Sequence, residues 1–447
     1  MQRSAVNFRQ SLVSRREFLA ASAASVAALL SGCAINPVSG RRQLMFVSEA
    51  MDLDLDKKWA CHQFSADYGA VQDNDLNAYV SKVGSDEAAL THRPHVPYSF
   101  RVVNSVVVNG YTFPAGSVAL ARGLMLSINN EAELAAVLGH ELGHVNARHA
   151  GERMTKNMVG MLIVGGIAAY LEYEKEKYTE LAAGLGAIAA NMLLCRYSRQ
   201  DETEADELGM EYMTRAEYNP DGMIGLMDTF RKLHKSRPGI VELLFATHPM
   251  SDERYETAVA RVDAKYQDAR VFPVNAERYM DQTSKLRAMS ETIEKMQEGE
   301  EAMTMKKFGE AESCFREALR QAPGDYAGLL MMAKCCLARH EYGEAQRFAE
   351  EAKGVYPEEA QAHHVSGMAK MYNRRYYSAL GEFTLYEQKL PGNPNTIFFK
   401  GLCLDKMGRK RESASEYLRY LKEAPEGEHS QYAKKRLDEW RYLAQPQ

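Results

Sequence analysis

His140 and His144 stand four residues apart with Glu141 between them, in the run HELGH. Two imidazoles at that spacing share one helix face and can bind a single ion, while a glutamate one step round reaches the ion's solvent side. The chemistry open to such a set is hydrolysis, in which an activated water attacks a carbonyl and the glutamate carries its proton. A catalytic zinc takes three protein ligands and keeps a fourth position for water, so a third ligand must be found. The continuation H-E-x-x-H-x-x-G-x-x-H is not followed, because Ala147 and Ala150 stand where it needs glycine and histidine. His149 is out of phase and reads as a polar residue near the helix end. The other source is SRQDETEADELGM, residues 198–210, where Glu202 and Asp206 face the same way on a helix. Glu202 can then bind the ion while Asp206 orients a ligating imidazole through its second nitrogen. Glu204 lies on a different face and is the weaker candidate.

These residues need a helix and a platform to hold them. Asn130 with Glu133 three residues later marks a helix start, and Leu134, Val137, Leu138, Leu142 and Val145 keep helical spacing through HELGH. Upstream, residues 98–121 alternate apolar and polar around Asn109-Gly110 and Pro114-Ala115-Gly116, which predicts strands joined by tight turns. A strand around residues 104–110 would offer an edge for an extended substrate. Two apolar runs follow, residues 158–171 and 181–195, each shorter than the ~20 residues of a membrane-spanning helix. They read as a helical hairpin in the core or against a membrane surface, with a transmembrane pair as the alternative.

The N-terminus reads as an export signal. Arg3, Arg9, Arg15 and Arg16 precede a charge-free run from Phe18 to Leu30, which ends in Leu30-Ser31-Gly32-Cys33. Ser14-Arg15-Arg16-Glu17-Phe18-Leu19 resembles a twin-arginine signal, and the residues ending at Cys33 resemble a lipobox, which implies a lipidated Cys33. Ala34, in place of aspartate, after that cysteine implies the outer membrane under the sorting rule of Gram-negative lipoproteins. The chain carries a net charge of −5 over 447 residues, becoming −8 without residues 1–32. That acidic, soluble composition gives nucleic acid no basic surface to bind. Six further cysteines form no C-x-x-C pair, so neither a zinc ribbon nor a thioredoxin-like site is indicated.

The C-terminal third repeats with a period of 34. Pro323, Pro357, Pro391 and Pro425 fall in register, as do Gly299, Ala333, Gly367 and Gly401, with Phe315, Ala349, Phe383 and Tyr417 in step between them. Small residues where two helices cross, and a proline past the second helix, resemble the tetratricopeptide repeat, with four units over about residues 291–426. Stacked helix pairs of this kind present a concave face for peptide or protein.

His140, Glu141 and His144, followed by Glu202, Ala205 and Asp206, resemble the zinc metallopeptidase family that includes HtpX, the CAAX prenyl proteases and BepA, which shares H-E-x-x-H and a downstream E-x-x-A-D. NPVSGRRQLM, residues 36–45, is similar to its exported lipoproteins, and a peptidase followed by repeats is the BepA-like arrangement. The resemblance implies a mostly α fold with a small β-sheet: a zincin-type domain over residues 56–275 and an α-solenoid over residues 276–447. Ahead of them stand a signal peptide (1–32) and a lipidated tether (33–55). It also implies one zinc per chain on His140, His144 and Glu202, and in HPMSDER it places His248 beside the metal with Arg254 six residues on. His248 is expected as an inhibitory fourth ligand, with oxyanion stabilisation as the competing role, and Arg254 as a supplement to the oxyanion site. The implied function is cleavage of misfolded or stalled envelope and outer-membrane proteins on the periplasmic side, the repeats recruiting clients or assembly machinery. The rival is a chaperone or assembly factor with proteolysis held off.

Overall fold

The computed structural model describes residues 33–164, 197–425 and 427–442. The export signal, the second apolar run, the second half of the first and Cys195 lie outside the described residues. Among the described residues no helix is long and apolar enough to cross a membrane.

The chain from Cys33 onward is more than a tether. Cys33–Ile35 (β1) pairs antiparallel with Arg42–Leu44 (β2), and the connecting turn is closed by Asn36 Oδ1, which accepts from Val38 N (2.8 Å) and Ser39 N (3.0 Å). Met45 and Val47 are buried, and a helix spans Glu49–Ala66 from an N-cap at Ser48.

Three strands form the platform: Ser99–Val103 (β3), Gly110–Thr112 (β4) and Ser117–Ala121 (β5), in the order β3-β5-β4. The β4–β5 hairpin turns at Phe113–Gly116, where Gly116 takes φ +88°, a left-handed conformation that glycine adopts without strain. Asn109-Gly110 makes no second hairpin, because β3 runs parallel to β5 and a crossover must intervene. The strand expected over residues 104–110 is therefore a loop up to Asn109. It is held from outside, by Val108 N to Ile240 O (3.1 Å) and Gln297 Nε2 to Val106 O (2.6 Å). The strand that reaches the HELGH helix is β4.

That helix, Glu131–Ala147, starts as its sequence predicts. The Asn130 side chain accepts from Glu133 N (2.9 Å), and all seventeen residues of the helix are buried. It packs most closely on the helix Arg199–Arg215. A Cβ at Gly143 would lie 2.8 Å from Ala205 O, and one at Gly209 would lie 2.8 Å from His140 N. Glycine thus lets the two backbones touch, which brings one helix's histidines within reach of the other's carboxylates.

The repeats are borne out as helix pairs: Ser290–Thr304 with Phe308–Gln321, Tyr326–Ala338 with Tyr342–Val355, Gln361–Tyr372 with Tyr376–Lys389, and Pro394–Lys406 with Lys410–Glu423. Ser430–Glu439 packs on the last pair. Gly299, Gly367 and Gly401 each abut the ring of Phe315, Phe383 or Tyr417, closely enough that a Cβ would clash, while the second pair uses alanine at both positions. Lys306, His340, Arg374 and Gly408, again 34 apart, all take a positive φ in the turn between paired helices.

Several repeat residues are engaged by the chain's own N-terminal half. Arg122, at the end of β5, forms a buried two-pronged pair with Asp325 of the second repeat (2.6 and 3.0 Å). Lys334 reaches Tyr68 O–H (3.2 Å), and His62 Nε2 lies 3.0 Å from Pro391 O. One apolar core runs through both halves, from Val80 and Leu134 to Met296 and Leu330. The helices Ala276–Gln282 and Ser284–Arg287 also belong physically to the N-terminal half, since Tyr279 donates to Met125 O (2.6 Å) and Arg287 to Ile128 O (2.7 Å).

Candidate metal centre

Three separate helix segments deliver their side chains to one point. His140 and His144 come from the HELGH helix, Glu202 from the first turn of Arg199–Arg215, and His248 from the residue that ends the short helix Glu242–Thr247. One donor atom of each lies within 4.8 Å of all the others, and all four residues are buried. Glu202 is aimed by a reciprocal cap: Ser198 Oγ accepts from Asp201 N (3.2 Å), and Asp201 Oδ2 accepts from Ser198 N (2.9 Å).

The donor set fits a cation because of how its ring nitrogens are partnered. His140 Nδ1 lies 2.9 Å from Asp206 Oδ1, and His144 Nδ1 lies 2.9 Å from His149 Nδ1. With its Nδ1 hydrogen on Asp206, His140 turns its Nε2 lone pair inward, and His144 does the same where His149 Nδ1 accepts. The two Nε2 atoms are 3.1 Å apart, and His248 Nδ1 is 3.4 Å from that of His140. Lone pairs converging at such distances repel unless a positive ion lies among them. Glu202 Oε1 adds its charge at 3.1 Å from His248 Nδ1 and 3.5 Å from His144 Nε2.

Charge follows the same geometry. Burial opposes ionisation of Glu202, but His248, His144 and His140 around it hold its carboxyl well below the usual range. Burial lowers His144 far below an ordinary imidazole and raises Glu141 above an ordinary carboxylate. Glu141 is nearly free of partners: Oε2 is buried without a hydrogen bond, and Oε1 lies 3.8 Å from His248 Nε2. A carboxylate beside the ligand cluster with an uncommitted oxygen is placed to take a proton.

Arg254 is directed at Asp206 and its surroundings. Its Nε and Nη2 make a fork on Asp206 (2.8 and 2.7 Å), and Nη1 meets Pro249 O (2.9 Å) and Glu202 Oε2 (2.6 Å). Three of its five N–H hydrogens are committed to Asp206 and Pro249 O, so its geometry fits a positioning residue that fixes Asp206, which in turn fixes His140. Sequence reasoning missed two further neighbours. His149 backs His144, and Tyr197 stacks on the His144 ring at 3.8 Å between centroids. Beside His140 and Glu141 opens a cavity of about 40 Å³, lined by Val137, Met223, Met227, Phe230, Leu244 and Met250.

Residues 74–262 match the family model described as Peptidase family M48, and residues 302–370 match that of the tetratricopeptide repeat. The β-barrel assembly-enhancing protease of Yersinia pestis is 24% identical over 307 residues, covering 63% of this chain and 63% of that relative. The protein of the same name from Escherichia coli K12 is 26% identical over 198 residues, covering 43% and 40%. Metalloprotease YcaL of Escherichia coli K12 is 27% identical over 247 residues, covering 52% and 91%. The match thus spans less than two thirds of the length of the first two relatives. The chain joins a Peptidase family M48 domain, which contains the whole ligand cluster, to tetratricopeptide repeats.

Proposed function

We propose that this chain is a zinc endopeptidase of the bacterial envelope that cleaves misfolded or stalled outer-membrane and other exported proteins. The observation that carries the proposal is the convergence of His140, His144, Glu202 and His248 next to Glu141, whose Oε2 is buried without a hydrogen bond. Zinc on His140, His144 and Glu202 would lower the pKa of water to ~7 and polarise a peptide carbonyl. Glu141 takes the proton of the attacking water and returns it to the leaving amine. Asp206, clamped by Arg254, keeps His140 in the tautomer that ligates. The edge of β4 at Gly110 lies by the apolar cavity, so an extended peptide paired there would lay a side chain against its methionines.

His248 favours a second element, a latch. Its Nδ1 sits among the ligand atoms and so fills the position that water needs. Resting activity is then low, which accommodates the chaperone or assembly reading, since clients can be held without being cut. The latch is within reach of the repeats: the turn Pro238–Val241, just before the helix that ends at His248, touches the first repeat helix, with Gly239 against Glu301. Client binding that distinguishes the two states would shift the latch.

The relatives' name, β-barrel assembly-enhancing protease, supports β-barrel proteins as clients, the lipobox-like residues ending at Cys33 support lipid anchoring on the periplasmic side, and Ala34 after that cysteine supports the outer membrane. Cross-linking in cells tests the assignment, with the chain inactivated at Glu141 as bait. We expect unfolded β-barrel proteins and their assembly machinery to be retained. Retention of cytoplasmic proteins alone would contradict it.

A further inference from the structure

The two ligating histidines of the HELGH helix are served differently. His140 hands its Nδ1 hydrogen directly to Asp206, a buried carboxylate. His144 has no carboxylate at Nδ1 and meets the Nδ1 of His149 at 2.9 Å, with both residues 1% exposed. The far nitrogen of His149, Nε2, lies 3.3 Å from Glu204 Oε2, whose side chain is 37% exposed.

Resting on the reading that the cluster holds zinc, we propose that His149 and Glu204 form a relay that positions His144 for the ion. Only one arrangement of hydrogens satisfies the three residues. His144 must keep Nε2 bare to ligate, so its hydrogen is on Nδ1 and needs an acceptor. His149 accepts it at Nδ1, which places its own hydrogen on Nε2, where the Glu204 carboxylate accepts in turn. The ring of Tyr197, stacked on His144 with 20° between planes, restrains tilt on one face.

The backbone is built to bring His149 there. Five residues on in a continuous helix, it would lie about 140° round the axis from His144. The helix instead stops at Arg148, which takes the left-handed conformation (φ 56°, ψ 37°), and a new helix begins at His149. Arginine does not favour that conformation, and this one is held from outside: Arg148 makes a fork on buried Asp52 (2.9 and 2.7 Å) and donates to Val47 O (2.7 Å). Residues about a hundred positions upstream thus fix the break that turns His149 back onto His144.

Zinc affinity, measured on the full chain by competition with a fluorescent chelator, tests the relay apart from catalysis. His149→Phe fills the same space without an acceptor, and we expect it to weaken zinc binding by about 10–100-fold, as Asp206→Ala should for the other histidine. His149→Asn, whose side-chain oxygen can accept from Nδ1, should recover part of that loss. Glu204→Gln, at the protein surface, should weaken binding less than His149→Phe does. A His149→Phe chain that binds zinc like the wild type, or an asparagine variant that falls as far as the phenylalanine one, would overturn the relay. Failure of the wild-type chain itself to bind zinc would instead overturn the metal reading on which the relay rests.

Discussion

Replacing Glu141 with glutamine leaves zinc bound and lowers hydrolysis of an unfolded protein by about 10²–10⁴-fold. Affinity survives because the ligand imidazoles are held from behind, His140 by Asp206 and His144 by His149, and Glu141 takes no part in either contact. Activity falls because glutamine preserves the shape and cannot accept the proton. The Glu141 carboxyl, raised by burial, also costs something to keep charged in the fold, so the neutral amide should not lower the melting temperature. Zinc content by mass spectrometry and cleavage of a reduced, unfolded protein are measured on one preparation. Retained cleavage at full zinc content would remove Glu141 from its role.

Replacing His248 with alanine raises basal proteolysis, by about 10–100-fold if the open state is a minor one of roughly 1–10%. In the resting structure the imidazole lies 3.1 Å from Glu202 and 3.4 Å from His140, inside the ligand cluster and facing Glu141 with its other nitrogen. Truncation frees that space for water and leaves His140, His144 and Glu202 in place. Self-cleavage during purification should appear with it. The competing role, donation to an oxyanion, predicts the opposite sign, a fall of about 10²–10³-fold. Basal hydrolysis by the zinc-loaded variant separates them, and a fall would reject the latch.

The elements with strong local signals were legible in the sequence. Asn130 and Glu133 start the helix where they should, and the spacing of small and aromatic residues gives the repeat helices and the contacts of Gly299, Gly367 and Gly401. The grouping of His140, Glu141, His144, Glu202, Asp206 and His248 rested on helical spacing and on the family resemblance, and the fold brings all six together. What stayed hidden depends on partners far away in the chain. Arg148 takes a left-handed turn because Asp52 and Val47 hold it, so nothing near His149 announced that its ring would return to His144. The fork of Arg254 on Asp206 and its pair with Glu202 join residues some fifty positions apart, which local spacing does not show. The strand expected at 104–110 is a loop because its backbone is engaged by Ile240 and Gln297. Nor did the repeat pattern show that Asp325, Lys334 and Pro391 are engaged by the chain's own Arg122, Tyr68 and His62.

The latched zinc centre is tested most directly by zinc K-edge absorption fine structure of the purified resting chain beside His248→Ala. Four-coordinate zinc is predicted, with three imidazole nitrogens at about 2.0–2.1 Å and one carboxylate oxygen. The alanine variant should lose one imidazole and gain a water oxygen, with zinc still bound. Two imidazoles in both proteins would contradict the latch, and a wild-type chain that holds no zinc on these residues would contradict the account as a whole.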